Sequence, residues 1–182
     1  MVNADAITLD QLSDELLERA CRVRLVLTDC DGVLTEAGVF VSWKGEELKC
    51  FSLRDGMGVE RLRTYLGVET GMITCESSGP AKARADKLRL GEIHLGVRDK
   101  LSAVGEIIAR LGLRFEEVAY IGDDANDAPV LARVGLAACP ADAFFLIRQI
   151  VHYVTPNPGG HGAFRDLAEL ILLARMHETP YK

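Results

Sequence analysis

The run Val23-Arg24-Leu25-Val26-Leu27-Thr28-Asp29-Cys30-Asp31-Gly32 constrains this chain more than any other stretch, because an apolar segment ends in two acids one residue apart. A continuous apolar run bounded by a glycine turn reads as a central strand of a parallel sheet, buried on both faces. Ionised carboxylates at the end of such a strand are costly to desolvate unless a cation or strong donors meet them. The pattern recurs at Val118-Ala119-Tyr120-Ile121-Gly122-Asp123-Asp124-Ala125-Asn126-Asp127, again a short apolar strand, a glycine and then acids. With the two strands side by side and their carboxyl ends level, Asp29, Asp31, Asp123 and Asp124 converge on one small volume. Oxygen ligands from separate loops are what Mg²⁺ takes, alongside waters and a substrate phosphate. Either acidic stretch alone is ordinary punctuation after a strand; the ordered pair is what points to a site.

Between and around these strands the chain alternates strand and helix signals. Thr8-Leu9-Asp10-Gln11 resembles a capping box, and Leu9, Leu12, Leu16 and Ala20 share one face of a leader helix that packs on the body. The first strand, at about 23–28, leads into a strand-turn-strand pattern: Gly38–Ser42, a turn at Trp43–Glu46, and Glu47–Ser52. A hairpin placed there stands over the carboxyl end of the sheet as a flap or subunit contact, or else extends the sheet edge. A helix follows from about Asp55 to Leu66 with Gly67 as its stop, then a strand over 68–74 ending at Thr74. Pro80 opens a helix to about Leu90; a short strand covers 92–95, a helix from Leu101 stops at Gly112, and a strand spans 118–121. The pattern then predicts helices at 129–134 and 141–149, strands at 136–138 and 151–154, and a closing amphipathic helix at 163–174. Such alternation implies parallel β-α-β units with right-handed crossovers, and acids that meet across two neighbouring strands mark a topological switch point, where these sheets bind ligands.

At 182 residues the chain is long enough to bury its own core as one domain. A net charge of −6, with no basic stripe, argues against a nucleic-acid partner, so positive charge for an anionic substrate has to be concentrated locally. No apolar run reaches the roughly 18 to 20 residues of a membrane span, and charged residues stand where a signal peptide has its apolar core, so a cytoplasmic protein is expected. Five cysteines with no Cys-x-x-Cys spacing read as reduced thiols.

Asp29-Cys30-Asp31-Gly32-Val33-Leu34-Thr35, then Thr74 at a strand end, Lys100 before a helix and Gly122-Asp123-Asp124-x-x-Asp127 resemble, in that order, the haloacid dehalogenase superfamily over residues 22–175. Taken singly, a strand-end Thr is ordinary β-propensity and a helix-start Lys ordinary surface; the shared order gives them weight. The resemblance implies a Rossmann-like three-layer α/β sandwich around a mostly parallel sheet. It comprises a single domain over 1–182, with a leader helix within 1–21, a β-hairpin flap over 36–53 and no room for a large cap. It further implies Asp29 as nucleophile and metal ligand, and Asp31 as general acid and base, its backbone carbonyl also on the metal. Asp123 becomes the third Mg²⁺ ligand, Thr74 and Lys100 contact the phosphoryl group, and Asp124 or Asp127 stands behind the ligands or fixes the loop. Asn126 orients Lys100 or a water, or serves as a cap.

Phe51-Ser52-Leu53-Arg54-Asp55-Gly56 and Gly159-Gly160-His161-Gly162-Ala163-Phe164-Arg165-Asp166 resemble two signatures of the capless subgroup that dephosphorylates 2-keto-3-deoxy sugar acids. That resemblance implies a homotetramer joined through the hairpins. Octulosonate 8-phosphate phosphatases typically carry Gly-Arg after the strand-end Thr. Here Cys75-Glu76 stands there, with Arg84 and Lys87 on one face of the next helix, which is closer to the nonulosonate 9-phosphate phosphatases. Arg54 can pair with a substrate carboxylate, or with Asp55 or Glu60. The leading expectation is a Mg²⁺-dependent phosphatase of the octulosonate 8-phosphate type. Its competitors are a nonulosonate 9-phosphate phosphatase, a phosphatase-like subunit of a phenylphosphate carboxylase-type complex, and a scaffold without turnover. A scaffold has no use for five convergent polar groups.

Overall fold

The structure is a computed structural model that describes residues 12–176. Six parallel strands form the central sheet in the order β5-β4-β1-β6-β7-β8: β1 (Leu25–Thr28), β4 (Glu69–Ile73), β5 (Glu92–His94), β6 (Val118–Ile121), β7 (Leu136–Cys139) and β8 (Tyr153–Val154). The chain runs outward from β1 through β4 to β5, then returns to β1's other side at β6. Leu25 pairs with Glu69 on one side and with Val118 on the other, so the ends of β1 and β6 are level and the switch point lies between them.

Strand alternation divides the core into two layers. Val26, Ala119, Ile121, Leu136 and Ala138 face the helices α1 (Asp14–Cys21), α2 (Leu53–Leu66), α3 (Gly79–Leu88) and α6 (Ala163–Arg175). Leu25, Leu27, Val118, Tyr120, Ala137 and Cys139 face α4 (Lys100–Leu111) and α5 (Ala128–Leu131). On the first side, Leu62 of α2 and Phe164 and Leu167 of α6 are fully buried, each contributing about 1.5–3 kcal/mol of transfer free energy. Among the described residues no helix is long and apolar enough to cross a membrane.

Local chemistry sets the element ends. The Ser52 hydroxyl accepts from Arg54 N–H at the start of α2, two residues earlier than the pattern suggests, and Gly67 ends that helix in the left-handed conformation. Thr8–Gln11 lies outside the described residues; within them α1 starts at Asp14 and is capped by the Ser13 hydroxyl. Leu12 and Leu16 pack against the body as their spacing implies. The hairpin consists of β2 (Phe40–Ser42) and β3 (Gly45–Leu48), joined through Trp43-Lys44, and forms a sheet of its own rather than an extension of the central one.

The helix expected at 141–149 is absent. That stretch is a series of turns with one 3-10 turn at Ile147–Gln149, because tertiary partners claim its polar groups. Phe144 N–H donates to the Asp123 carbonyl (2.9 Å), and the Asp142 carboxylate accepts from Gly159 N–H (2.9 Å). Gly159 packs directly on the turn after β1, where a Cβ would come 1.9 Å from the Gly32 carbonyl oxygen. The second signature segment is thereby the buttress of the first acidic loop.

Candidate active site

A cavity of about 350 Å³ opens at the switch point, lined by Asp29, Asp31, Thr74, Cys75, Glu76, Asp123, Asp124 and Asn126 among others. Asp29 follows β1 directly and is anchored by its backbone N–H on the Ile121 carbonyl (3.0 Å). Its Oδ1 accepts from Cys30 N–H (2.6 Å) and its Oδ2 meets Lys100 Nζ (2.6 Å). Lys100, the first residue of α4, has no solvent on its side chain and bridges Asp29 to Asp127, whose Oδ1 lies 2.7 Å away. Gly32 is required here: its φ is +83°, and a Cβ would come 1.9 Å from Asp123 Oδ2.

Asp127 is saturated. Its Oδ1 accepts from Lys100 and from the Tyr120 hydroxyl (2.7 Å), and its Oδ2 from the backbone N–H groups of Asp123 (3.0 Å) and Asp124 (3.4 Å). It thus pins both the ammonium and the acidic loop. Tyr120 belongs to this network because its register on β6 turns it to the α4 side; a tyrosine inside a buried strand needs a partner for its hydroxyl, the one sequence signal available for it.

Asp29, Asp123 and Asp127 bring one oxygen each within 4.8 Å of one another. Burial, with Asp127's charge, pushes Asp29 up to about 7 against the pull of Lys100. Burial, with Asp29, Asp127 and Asp124, pushes Asp123 up to about 8. Carboxylates crowded this way beside one ammonium suit a hard divalent cation; Asp29 and Asp123 line the cavity and Asp127 does not, so those two are the side chains placed to take it. The site therefore fits a divalent cation. Asp124 is exposed and caps its own loop at Ala125 N–H (2.6 Å).

Thr74 directly follows β4, its hydroxyl accepting from Glu76 N–H (3.3 Å), which leaves its proton to donate. Asn126 does not reach Lys100; its amide donates to Cys75 Sγ (3.3 Å) across the cavity. Nor does it cap α5, where Asp127 holds that position. Glu76 lines the cavity, whereas Arg84 and Lys87 do not. They line a separate cleft with Glu47, Leu48 and Phe51, where Arg84 donates to the Ser52 carbonyl (2.7 Å) and stacks over Phe51. A shared role with Glu76 inside one subunit is thus corrected, because α3 carries the two cations away from the cavity. Arg54 is exposed, outside the cavity lining, and makes no ion pair with Asp55 or Glu60. Asp55 instead accepts Arg165 N–H (3.0 Å), tying α2 to α6.

Sequence reasoning missed Lys49. It lies just past β3, with its side chain shielded although its backbone is partly exposed, and pairs with Asp31 Oδ1 and with Glu46 Oε2 (3.2 Å). Burial works against its charge, but the two carboxylates more than offset this and hold its pKa above the usual lysine value. Asp31 Oδ1 also accepts from the Thr35 hydroxyl (3.3 Å), while Oδ2 has no partner among the described residues.

A family model for haloacid dehalogenase-like hydrolases matches residues 90–165. The 3-deoxy-D-manno-octulosonate 8-phosphate phosphatase of Yersinia pestis is 41% identical over 164 residues, 90% of this chain and 87% of that protein. A crystal structure of the phosphatase of that name from Yersinia pestis aligns with a TM-score of 0.87, covering 90% of this chain and 88% of that one at 41% identity. The structure of the Moraxella catarrhalis phosphatase, in complex with magnesium ion, phosphate ion and a KDO molecule, aligns with a TM-score of 0.86 at 32% identity, covering 90% of this chain and 94% of that one. Sharing a capless parallel sheet and nine-tenths of its length with these proteins, the chain belongs to the haloacid dehalogenase superfamily, in the branch of phosphoric monoester hydrolases that contains the octulosonate 8-phosphate phosphatases.

Proposed function

We propose that this protein hydrolyses the phosphate monoester of a 2-keto-3-deoxy sugar acid, 3-deoxy-D-manno-octulosonate 8-phosphate foremost, through an aspartyl-phosphate on Asp29. The observation that carries this reading is Asp29 itself, a buried carboxylate at the cavity, held by Lys100 (2.6 Å), with Asp31 lining the same cavity. The substrate class is supported by the relatives named for that activity, 41% and 36% identical over 90% of the chain.

Phosphate monoesters are among the slowest of compounds to hydrolyse unaided, so a placed nucleophile, charge neutralisation and a proton source are all needed. A carboxylate oxygen of Asp29 attacks phosphorus, the ester P–O bond breaks, and protonated Asp31 delivers its proton to the departing alkoxide. In the second half Asp31, now a carboxylate, takes a proton from water as that water attacks phosphorus; the Asp29–phosphorus bond breaks and inorganic phosphate leaves. Lys100 neutralises charge, and the Thr74 hydroxyl donates to a phosphoryl oxygen. Mg²⁺, when bound, neutralises the phosphoryl oxygens further. Asp29, the Asp31 carbonyl and Asp123 would hold it, with Asp124 and Asp127 behind them.

The reading includes a homotetramer acting in the cytoplasm on a small molecule, with no nucleic-acid or membrane partner. Exposed Phe40, Val41, Trp43 and Leu48 on the hairpin support the assembly, and five free cysteines suit a reducing compartment. Glu76 in the cavity lining favours a second reading, a nonulosonate 9-phosphate as substrate, since a carboxylate beside an anionic sugar acid alters which acid fits.

The test is phosphate release from a panel of sugar phosphates with Mg²⁺ present, paired with Asp29→Asn. Turnover should favour keto-sugar-acid phosphates and fall by orders of magnitude in the variant. Near wild-type turnover by Asp29→Asn would sink the mechanism.

A further inference from the structure

Lys49 occupies an unusual place for a lysine beside a hairpin whose large apolar side chains face solvent: Phe40, Val41, Trp43 and Leu48 are all exposed, while the Lys49 side chain is shielded. Burying an ammonium is costly unless it is paired, and both of its partners are acids. The first is Asp31. The second, Glu46, accepts through its other oxygen from the Ser78 hydroxyl, and that hydroxyl oxygen caps α3 by accepting from Ala81 N–H (3.3 Å). One line of contacts therefore runs from the start of α3 through the hairpin to Asp31. It fixes Lys49 from behind and leaves its front on one oxygen of Asp31.

That oxygen, Oδ1, is doubly engaged, by Lys49 and by Thr35; Oδ2, shielded from solvent, has no partner among the described residues. A carboxyl held on one oxygen cannot rotate freely, so the other keeps a set direction. We infer that Lys49 is a positioning residue for the reaction. By holding Oδ1, together with Thr35, it orients Asp31 so that Oδ2 carries the proton to the leaving oxygen. The hairpin, though it does not line the cavity, then supplies the contact that aims the acid. This inference rests on the acid–base role proposed for Asp31.

Leaving groups that differ in their need for a proton separate the possibilities. A sugar or alkyl phosphate releases an alkoxide and depends on proton delivery, whereas 4-nitrophenyl phosphate releases a phenolate that departs without it. Full-length wild type, Lys49→Met, Lys49→Arg, Glu46→Gln and Asp31→Asn are compared on both substrates with Mg²⁺ present. Lys49→Met should lower kcat/KM, which reports steps through leaving-group departure and not the later hydrolysis in which Asp31 serves both substrates as base, by roughly a hundredfold on the alkyl phosphate, within the range for misplacing a general acid, with less than about tenfold loss on 4-nitrophenyl phosphate. Lys49→Arg should restore most of the alkyl phosphate rate. Glu46→Gln keeps the ammonium but loosens its clamp; it should show the same selectivity at smaller amplitude, and it carries the comparison if Lys49→Met does not fold. Equal losses of kcat/KM on both substrates would overturn the inference and leave Lys49 as a pin for the hairpin. The Asp31→Asn control distinguishes the two levels. If it lacks leaving-group selectivity, the acid role of Asp31 fails and the inference fails with it; if it shows selectivity and Lys49→Met does not, only Lys49's part is refuted.

Discussion

Lys100 and Asp127 form an ion pair from which solvent is excluded on both sides, with 2.7 Å between Nζ and Oδ1. Removing one member of such a pair leaves the other charge buried and uncompensated, at a cost of about 3–5 kcal/mol. Asp127→Ala should lose stability in that range, measured by urea unfolding in EDTA, and should also lose turnover, because the Tyr120 hydroxyl and the N–H groups of Asp123 and Asp124 lose their acceptor. A variant as stable as wild type would show that the pair contributes nothing.

Metal removal should silence the enzyme. EDTA is expected to abolish phosphate release and Mg²⁺ to restore it. In thermal melts, saturating Mg²⁺ should raise Tm, by an amount corresponding to about 2.7 kcal/mol at a hundredfold excess over Kd. Asp123→Asn should lose most of that shift. Full activity after rigorous chelation would remove the metal from the mechanism.

Glu76 tests the choice of sugar acid. kcat/KM is to be measured for octulosonate 8-phosphate and for a nonulosonate 9-phosphate on wild type and on Glu76→Arg. If Glu76 selects the longer acid, the substitution moves the ratio toward octulosonate 8-phosphate, by about tenfold for a change of 1.4 kcal/mol. An unchanged ratio would exclude Glu76 from specificity.

Trp43 is the chain's single tryptophan and is 91% exposed, so its fluorescence reports directly on whether the hairpin is covered. Assembly through the hairpins should give blue-shifted emission at high protein concentration that moves red on dilution. Phe40→Glu should sediment as a smaller species and emit at the red position throughout. A sedimentation coefficient that the substitution leaves unchanged would place any assembly elsewhere.

His152 should add a pH-dependent increment to stability. Its Nδ1 accepts Ala137 N–H (2.9 Å), which requires the neutral ring, and burial together with nearby Arg19 lowers its pKa below the ordinary 6.5. Below that value the unfolded chain binds a proton that the folded site resists. The contribution is therefore complete above pH 6.5 and is lost as pH falls through the folded pKa. The Tm advantage of wild type over His152→Gln should shrink between about pH 7 and pH 5. A difference that stays constant over that interval would refute the assignment.

The elements best read from sequence are those that carry their own boundaries. β6 runs from Val118 to Ile121 as expected because its apolar residues stop at Gly122, and α2 and α4 end where Gly67 and Gly112 turn left-handed. Asp29, Thr74 and Lys100 were legible for a related reason, since each sits at the end of a strand or the start of a helix, where topology alone brings them together. The segment 141–149 misled because its composition suits a helix while its backbone groups are bound by distant partners such as Asp123. Lys49 was hidden for a similar reason. Nothing near it in sequence reveals that the hairpin folds back onto Asp31, and only tertiary placement turns a strand-end lysine into part of the site.

The central position of β1 also dictates when the site can come into being. Leu25 must pair with Val118, so the strand carrying Asp29 waits for the chain to be made past β6 before its second neighbour exists, and Asp127 follows later still. On the ribosome β1 emerges early, half paired at most, before β6 exists to flank Asp29. Pairings so distant in sequence are slow to form. Assembly of the candidate site is then a late event in folding, complete only when the Asp127 loop closes on Lys100, and a chain truncated before that loop lacks Asp123 and Asp127, two of the three carboxylates that gather there.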